Sequence, residues 1–136
     1  MSYDSTRQFL YQALIDTLDI EGIPYRFDSI LDDDPITTGD LLWVRAYISP
    51  IETFQHSIGT SSPIERTIGL FIIEIYDRKA NGYADILRAG ETIKDIYYRK
   101  SFDNGKIRIQ RVKLSKRQSY NNWNSNVLII HYIEDQ

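Results

Sequence analysis

Two histidines, a run of three aspartates and one His-Ser neighbour pair are the side chains best equipped for chemistry in this 136-residue sequence. His56 and His131 lie far apart and lack the short spacing that would place two imidazoles on one metal. His131 falls in an apolar strand pattern, where a packed, hydrogen-bonded imidazole is a plainer reading than a ligand or base. Asp32, Asp33 and Asp34 could gather a hard cation. A calcium loop, however, needs oxygen ligands at alternate positions, a glycine and a distal glutamate. Pro35 and Ile36 break that pattern and leave a solvated acidic loop. Ser57 directly follows His56; adjacent residues rarely form a nucleophile–base pair, and no third group suggests itself to orient them. Cysteine is absent, which excludes disulfides, thiolate metal sites and thiol nucleophiles. Neither a P-loop pattern nor a G-x-S-x-G elbow occurs. The expectation is a non-enzyme with no catalytic residue, metal or cofactor.

Charge is the stronger signal. The net charge is −3. Residues 1–60 carry three basic side chains (Arg7, Arg26 and Arg45) against ten acidic ones, and residues 61–136 carry thirteen basic against nine acidic. Between 99 and 117, eight basic residues are opposed only by Asp103. Such a split fits contact with nucleic acid, self-assembly through complementary faces, or simply a basic solvated strand. The polar start of the chain suggests no signal peptide, and the apolar runs are too short to span a bilayer.

These side chains must be positioned by a small set of elements. Ser5-x-x-Gln8 reads as a capping box opening a helix over about 5–21, with Leu10, Leu14 and Leu18 on one face and Gly22 and Pro24 as its stop. Strands are predicted at about 41–49, ending at Pro50, and at 66–76. In the second, apolar residues on both faces imply a central strand covered on both sides. Residues 50–63 read as an extended hairpin or a long loop. Short strands near Tyr25–Phe27 and Ile51–His56 are less distinct. A second helix spans about 83–98, with Ile86, Ile93 and Ile96 or Tyr97 inward and Gly90 at a close approach to the sheet. Asp103-Asn104-Gly105 is a turn signal. In the strand that follows, the apolar phase shifts from Ile107 and Ile109 to Val112 and Leu114. That shift predicts a bulge at Gln110-Arg111, which places Lys106, Arg108, Arg111 and Lys113 on one face. A last strand covers about 125–133. The whole reads as one α+β domain over 1–136, with a mixed, mostly antiparallel sheet of four to six strands packed against two helices.

An ordered set of short motifs runs from Trp43 to Ile96: Trp43-Val44-Arg45 in a strand, Ser57-Ile58-Gly59, Arg66-Thr67-Ile68-Gly69 opening an apolar strand that ends at Ile75-Tyr76, and Gly82-Tyr83-Ala84-Asp85 leading into a helix. In this order the chain resembles a phage tail-terminator family, of the lambdoid type found in long-tailed phages. The N-terminal helix and the closing strand with Trp123 fit more loosely, and the region after Asn104 does not match residue by residue. The resemblance implies an α+β fold that assembles as a homo-oligomeric ring, a hexamer, on the last ring of a tail tube. It implies arrest of tube polymerisation and a surface that joins the head connector or stopper protein.

On that reading the protein sits at the head-proximal end of the virion tail after assembly in the host cytoplasm. Its partners are itself, the major tail tube protein and the connector. It engages no membrane, and its contact with nucleic acid is limited to DNA in the ring lumen. The candidate interface residues are Phe54, Gln55 and His56 between two strands; the basic Lys106, Arg108, Arg111, Lys113 and Arg117; and the acidic Asp32, Asp33 and Asp34 as their counterpart on a neighbour. Two other readings stay open: a different head–tail joining component, such as a tail-completion or connector-stopper protein, and a small nucleic-acid-binding domain that uses the basic 106–117 strand.

Overall fold

The computed structural model describes residues 2–27, 42–55, 65–115, 117–120 and 123–135. Helix α1 (Ser2–Glu21) buries Leu10, Leu14 and Leu18, as their spacing requires. It begins three residues before the predicted capping box, so Ser5 lies inside the helix and does not cap it. At the other end, Gly22 adopts φ 69°, and the Ile23 amide donates to the Leu18 carbonyl at 3.0 Å, a left-handed glycine stop.

The strands are β1 (Tyr25–Phe27), β2 (Trp43–Gln55), β3 (Glu65–Arg78), β4 (Ser101–Phe102), β5 (Ile107–Leu114), β6 (Gln118–Tyr120) and β7 (Trp123–Asp135). They form one seven-stranded sheet in the order β1-β2-β3-β7-β5-β4, with β6 also paired to β7. Among the described strands only the β1–β2 pairing is parallel, so the fold is α+β with a mixed sheet, somewhat larger than the sequence suggested. β2 does not stop at Pro50. It continues to Gln55 with a register shift between Pro50 and Glu52 that leaves Ile51 as the extra residue. A bulge is one of the few places where a strand tolerates proline.

Helix α2 (Ala84–Tyr97) crosses the same face as α1 and buries Ile86, Ile93 and Tyr97, with Ile96 only partly buried. Tyr97 takes the inward place, and its phenol donates to the Leu10 carbonyl of α1 at 2.6 Å. Burial pushes that phenol well above its ordinary pKa. Under the helices lie Val44, Ala46 and Ile48 of β2; Phe71, Ile73 and Ile75 of β3; and Leu128, Ile130 and Tyr132 of β7.

The predicted bulge in β5 is present. Ile109 faces Tyr132 and Arg111 faces His131, so Gln110 is the extra residue. Before it, the turn residues Asp103, Asn104 and Gly105 all have positive φ, as the turn signal required.

Candidate interaction surface

Each strand that buries one set of side chains under the helices turns the alternate set to the other side. In β3 that set is Ile68, Leu70, Ile72, Glu74 and Tyr76; in β7 it is Val127, Ile129, His131 and Ile133. Among the described residues no helix packs on this side. Tyr47, Leu70, Ile72, Ile129 and His131 are half-buried. Strand β3 is therefore central, as expected, but coverage of both its faces by helices is not found among the described elements.

One end of this open face is closed by aromatics. Trp43 stacks on Tyr76 at 4.5 Å and meets Trp123 edge-on at 5.9 Å, while the Arg78 guanidinium lies 4.2 Å from the Trp123 ring centre. Beside them Arg45 pairs with Glu74 at 2.6 Å and donates to the Tyr76 hydroxyl at 3.1 Å, and Tyr76 donates to Glu74 at 2.9 Å. At the opposite end Arg66 grips both oxygens of Asp135, at 2.7 and 2.9 Å, and Arg108 adds a third bond at 3.0 Å. The hydrogen bond from Arg66 is the main reason the Asp135 pKa falls below its ordinary value. The motif residues Trp43, Arg45, Arg66 and Gly69 thus have structural work. Trp43 and Arg45 join β2 to β3, and Arg66 fixes β3 to β7. Gly69 leaves room for the Tyr132 ring, whose hydroxyl would lie only 2.4 Å from a Cβ at that position.

The rim is built by β5. Lys106, Arg108, Arg111 and Lys113 are all exposed, and the bulge turns Arg108, Arg111 and Lys113 to the open face opposite Ile133, His131 and Ile129. Arg108 is held by Asp135, but Arg111 and Lys113 have no ion pair among the described residues. His131 lies between them and the centre of the face. Its pKa is lowered by burial first and then by the positive charges of Arg111 and Lys113.

Arg117 does not join this group. Its guanidinium sits 4.8 Å from the ring centre of Tyr83, just ahead of α2. Phe54 and Gln55 belong to β2 and not to a loop, with backbones paired to Arg66 and Glu65. His56 and Asp32, Asp33 and Asp34 lie outside the described residues, as does Ser57-Ile58-Gly59. Sequence reading also passed over Ile20. This residue falls off the Leu10, Leu14, Leu18 stripe and is 85% exposed at the end of α1, next to the carboxylate of Glu21 and one turn from Asp16.

No family model and no curated protein matches the chain. Among solved structures, one superposes with a TM-score of 0.72 over 100% of this chain and 96% of its own, at 14% identity. At that identity the likeness establishes a shared fold and nothing further. No described helix is long and apolar enough to cross a membrane.

Proposed function

We propose that this chain is a structural virion protein that forms a ring on the end of a phage tail tube, stops tube growth and offers the surface that joins the head. The observation that supports the reading best is the pair of unlike exposed surfaces on opposite sides of one small domain. One side is a half-exposed apolar sheet face whose rim cations Arg111 and Lys113 have no ion pair among the described residues; the other is a helical layer whose α1 ends in exposed carboxylates. Rings are built from such unlike patches, because each copy presents one patch to the neighbour ahead and the other to the neighbour behind. On this reading the partners are further copies of the chain, the tail tube protein and the head connector or stopper, and no covalent chemistry is involved.

The test is a phage lacking the protein. Electron micrographs should show tails of uncontrolled length or tails that never join heads, and normal infectious particles would refute the proposal. The basic rim also favours a second reading, binding of duplex DNA by β5. Phosphate contacts would give an affinity that falls steeply with salt.

A further inference from the structure

We propose that the C-terminal end of α1 in one copy docks onto the open sheet face of the next, with Ile20 as its apolar anchor and Arg111 and Lys113 receiving its carboxylates. This names the neighbour contact of the ring proposed above and rests on that reading for closure of the ring. The contact itself rests on three features of the molecule.

The first is the setting of Ile20. A single exposed isoleucine is ordinary on a protein surface. Here it is 85% exposed, beside Glu21 and one turn from Asp16, at the end of a helix with no basic residue in its last turn. Carboxylates at a helix C-terminus oppose the negative end of the helix dipole. A cationic surface brought from outside would relieve that repulsion as it covered the isoleucine.

The second is the composition of the open face. Leu70, Ile72 and Ile129 provide half-buried apolar area at its centre. Arg45 and Arg108 are already committed to Glu74 and Asp135, while Arg111 and Lys113 are not paired among the described residues. The unpaired cations therefore border the apolar centre, the complement of an isoleucine flanked by acids. Phosphates of a duplex would instead meet aliphatic side chains and the carboxylates of Glu74 and Asp135. An acidic protein surface with an apolar centre suits this face better.

The third is placement. α1 lies on the covered side of the sheet, so one copy cannot bring its own helix end to its own open face. The contact must join unlike patches of different copies, which propagates head to tail and closes only if the rotation between copies allows it. One helix end covers less area than a standard stable interface of about 1,600 Å². Association in solution is accordingly expected to be concentration-dependent and weakened by salt.

The absence of cysteine makes the test clean. An equal mixture of Ile20→Cys and His131→Cys chains, mildly oxidised, should give a cross-linked dimer, while each variant alone should not. Sedimentation of Ile20→Asp should show association weakened by about tenfold to a hundredfold, the equivalent of losing one buried isoleucine. Arg111→Glu should also weaken association, and a mixture with Asp16→Lys chains should recover part of it. Efficient cross-linking of Ile20→Cys to itself would overturn the proposal in favour of a two-fold contact. No cross-link in the mixture, or a wild-type chain that stays monomeric over the whole concentration series, would overturn it outright. DNA binding abolished by Arg111→Glu, without self-association, would replace it with the nucleic-acid reading. The tail experiment fails separately. Cross-linked chains together with normal tails in the deletion phage would keep the contact and remove the capping role. Uncontrolled tails with no cross-link would do the reverse.

Discussion

Ile73 points beneath the helices and is fully buried, while Ile72, the next residue along β3, lies half-exposed on the other side of the sheet. Neighbours of the same type in one strand end in different environments, because a strand alternates its side chains and only one side receives α1 and α2. On the covered side, close packing, the Tyr97–Leu10 hydrogen bond and the fit of Tyr132 over Gly69 fix the fold. On the open side, ion pairs and stacked aromatics occupy the two ends and leave the middle apolar and the rim charged. Apolar character alone does not say whether a face belongs to the core or to a partner.

The sharpest way to break this contrast is to truncate both neighbours. Ile73→Ala should cost about 2–5 kcal/mol, the range for a buried isoleucine whose cavity cannot collapse. Ile72→Ala should cost roughly 1 kcal/mol, since only part of the side chain is withdrawn from water. Chemical denaturation of the isolated chain measures both. Equal losses would mean that the open face is covered in solution by something that stabilises the fold as much as the helices do.

Two glycines on the covered side sharpen the point. A Cβ at Gly69 would collide with the Tyr132 ring, so Gly69→Ala should destabilise by about 1–3 kcal/mol through overpacking. Gly90 was expected at a close approach to the sheet, yet a Cβ there meets only Ile75 and Leu128 methyl carbons at 3.8 and 3.9 Å, ordinary contact distances. Gly90→Ala should therefore stabilise by roughly 0.5–1 kcal/mol, from helix propensity without a clash. A loss on Gly90→Ala in thermal unfolding would show that α2 sits closer to the sheet than these distances allow.

Much of the fold was legible because it is written in local periodicity. The Leu10, Leu14, Leu18 stripe, the alternation in β3 and β7, and the phase change that located the β5 bulge each specify a backbone geometry within a few residues. Three features were not legible, for identifiable reasons. Pro50 was read as a strand end, because a bulge that tolerates proline depends on the partner strand. β6, with the sequence Gln118-Ser119-Tyr120, has no apolar alternation and exists through its pairing with β7. That no described helix covers Ile72 and Ile129 is a matter of tertiary arrangement, since a strand buried on both sides and one half-exposed on one side share the same apolar pattern. The phase change in β5 predicts one basic face at Lys106, Arg108, Arg111 and Lys113, and the bulge does turn Arg108, Arg111 and Lys113 to the same side. Arg117, an interface candidate beside them, lies apart, because the chain leaves β5 after Leu114 and carries Arg117 toward Tyr83.

The smallest expected effect probes the open face directly. His131 has a lowered pKa because burial, then Arg111 and Lys113, disfavour the imidazolium. The unfolded reference is about 6.5. A folded value below it means that the unfolded chain takes up the proton first as the pH falls. The contribution of His131 to stability is thus fully present above the reference value and is lost as the pH drops through the folded value. An NMR titration of the His131 ring protons should give a midpoint below that of a free histidine. Replacing Arg111 and Lys113 by Gln should raise it only part of the way, because burial remains. A midpoint at or above the free value in the monomeric chain would show that the face is not electropositive. In an assembled ring the carboxylates of Asp16 and Glu21 would oppose the fields of Arg111 and Lys113, while the added burial would lower the midpoint further. Comparing associated wild type with associated Asp16→Asn, in which burial is alike, reads the charge of what covers this face: the wild-type midpoint should be the higher of the two.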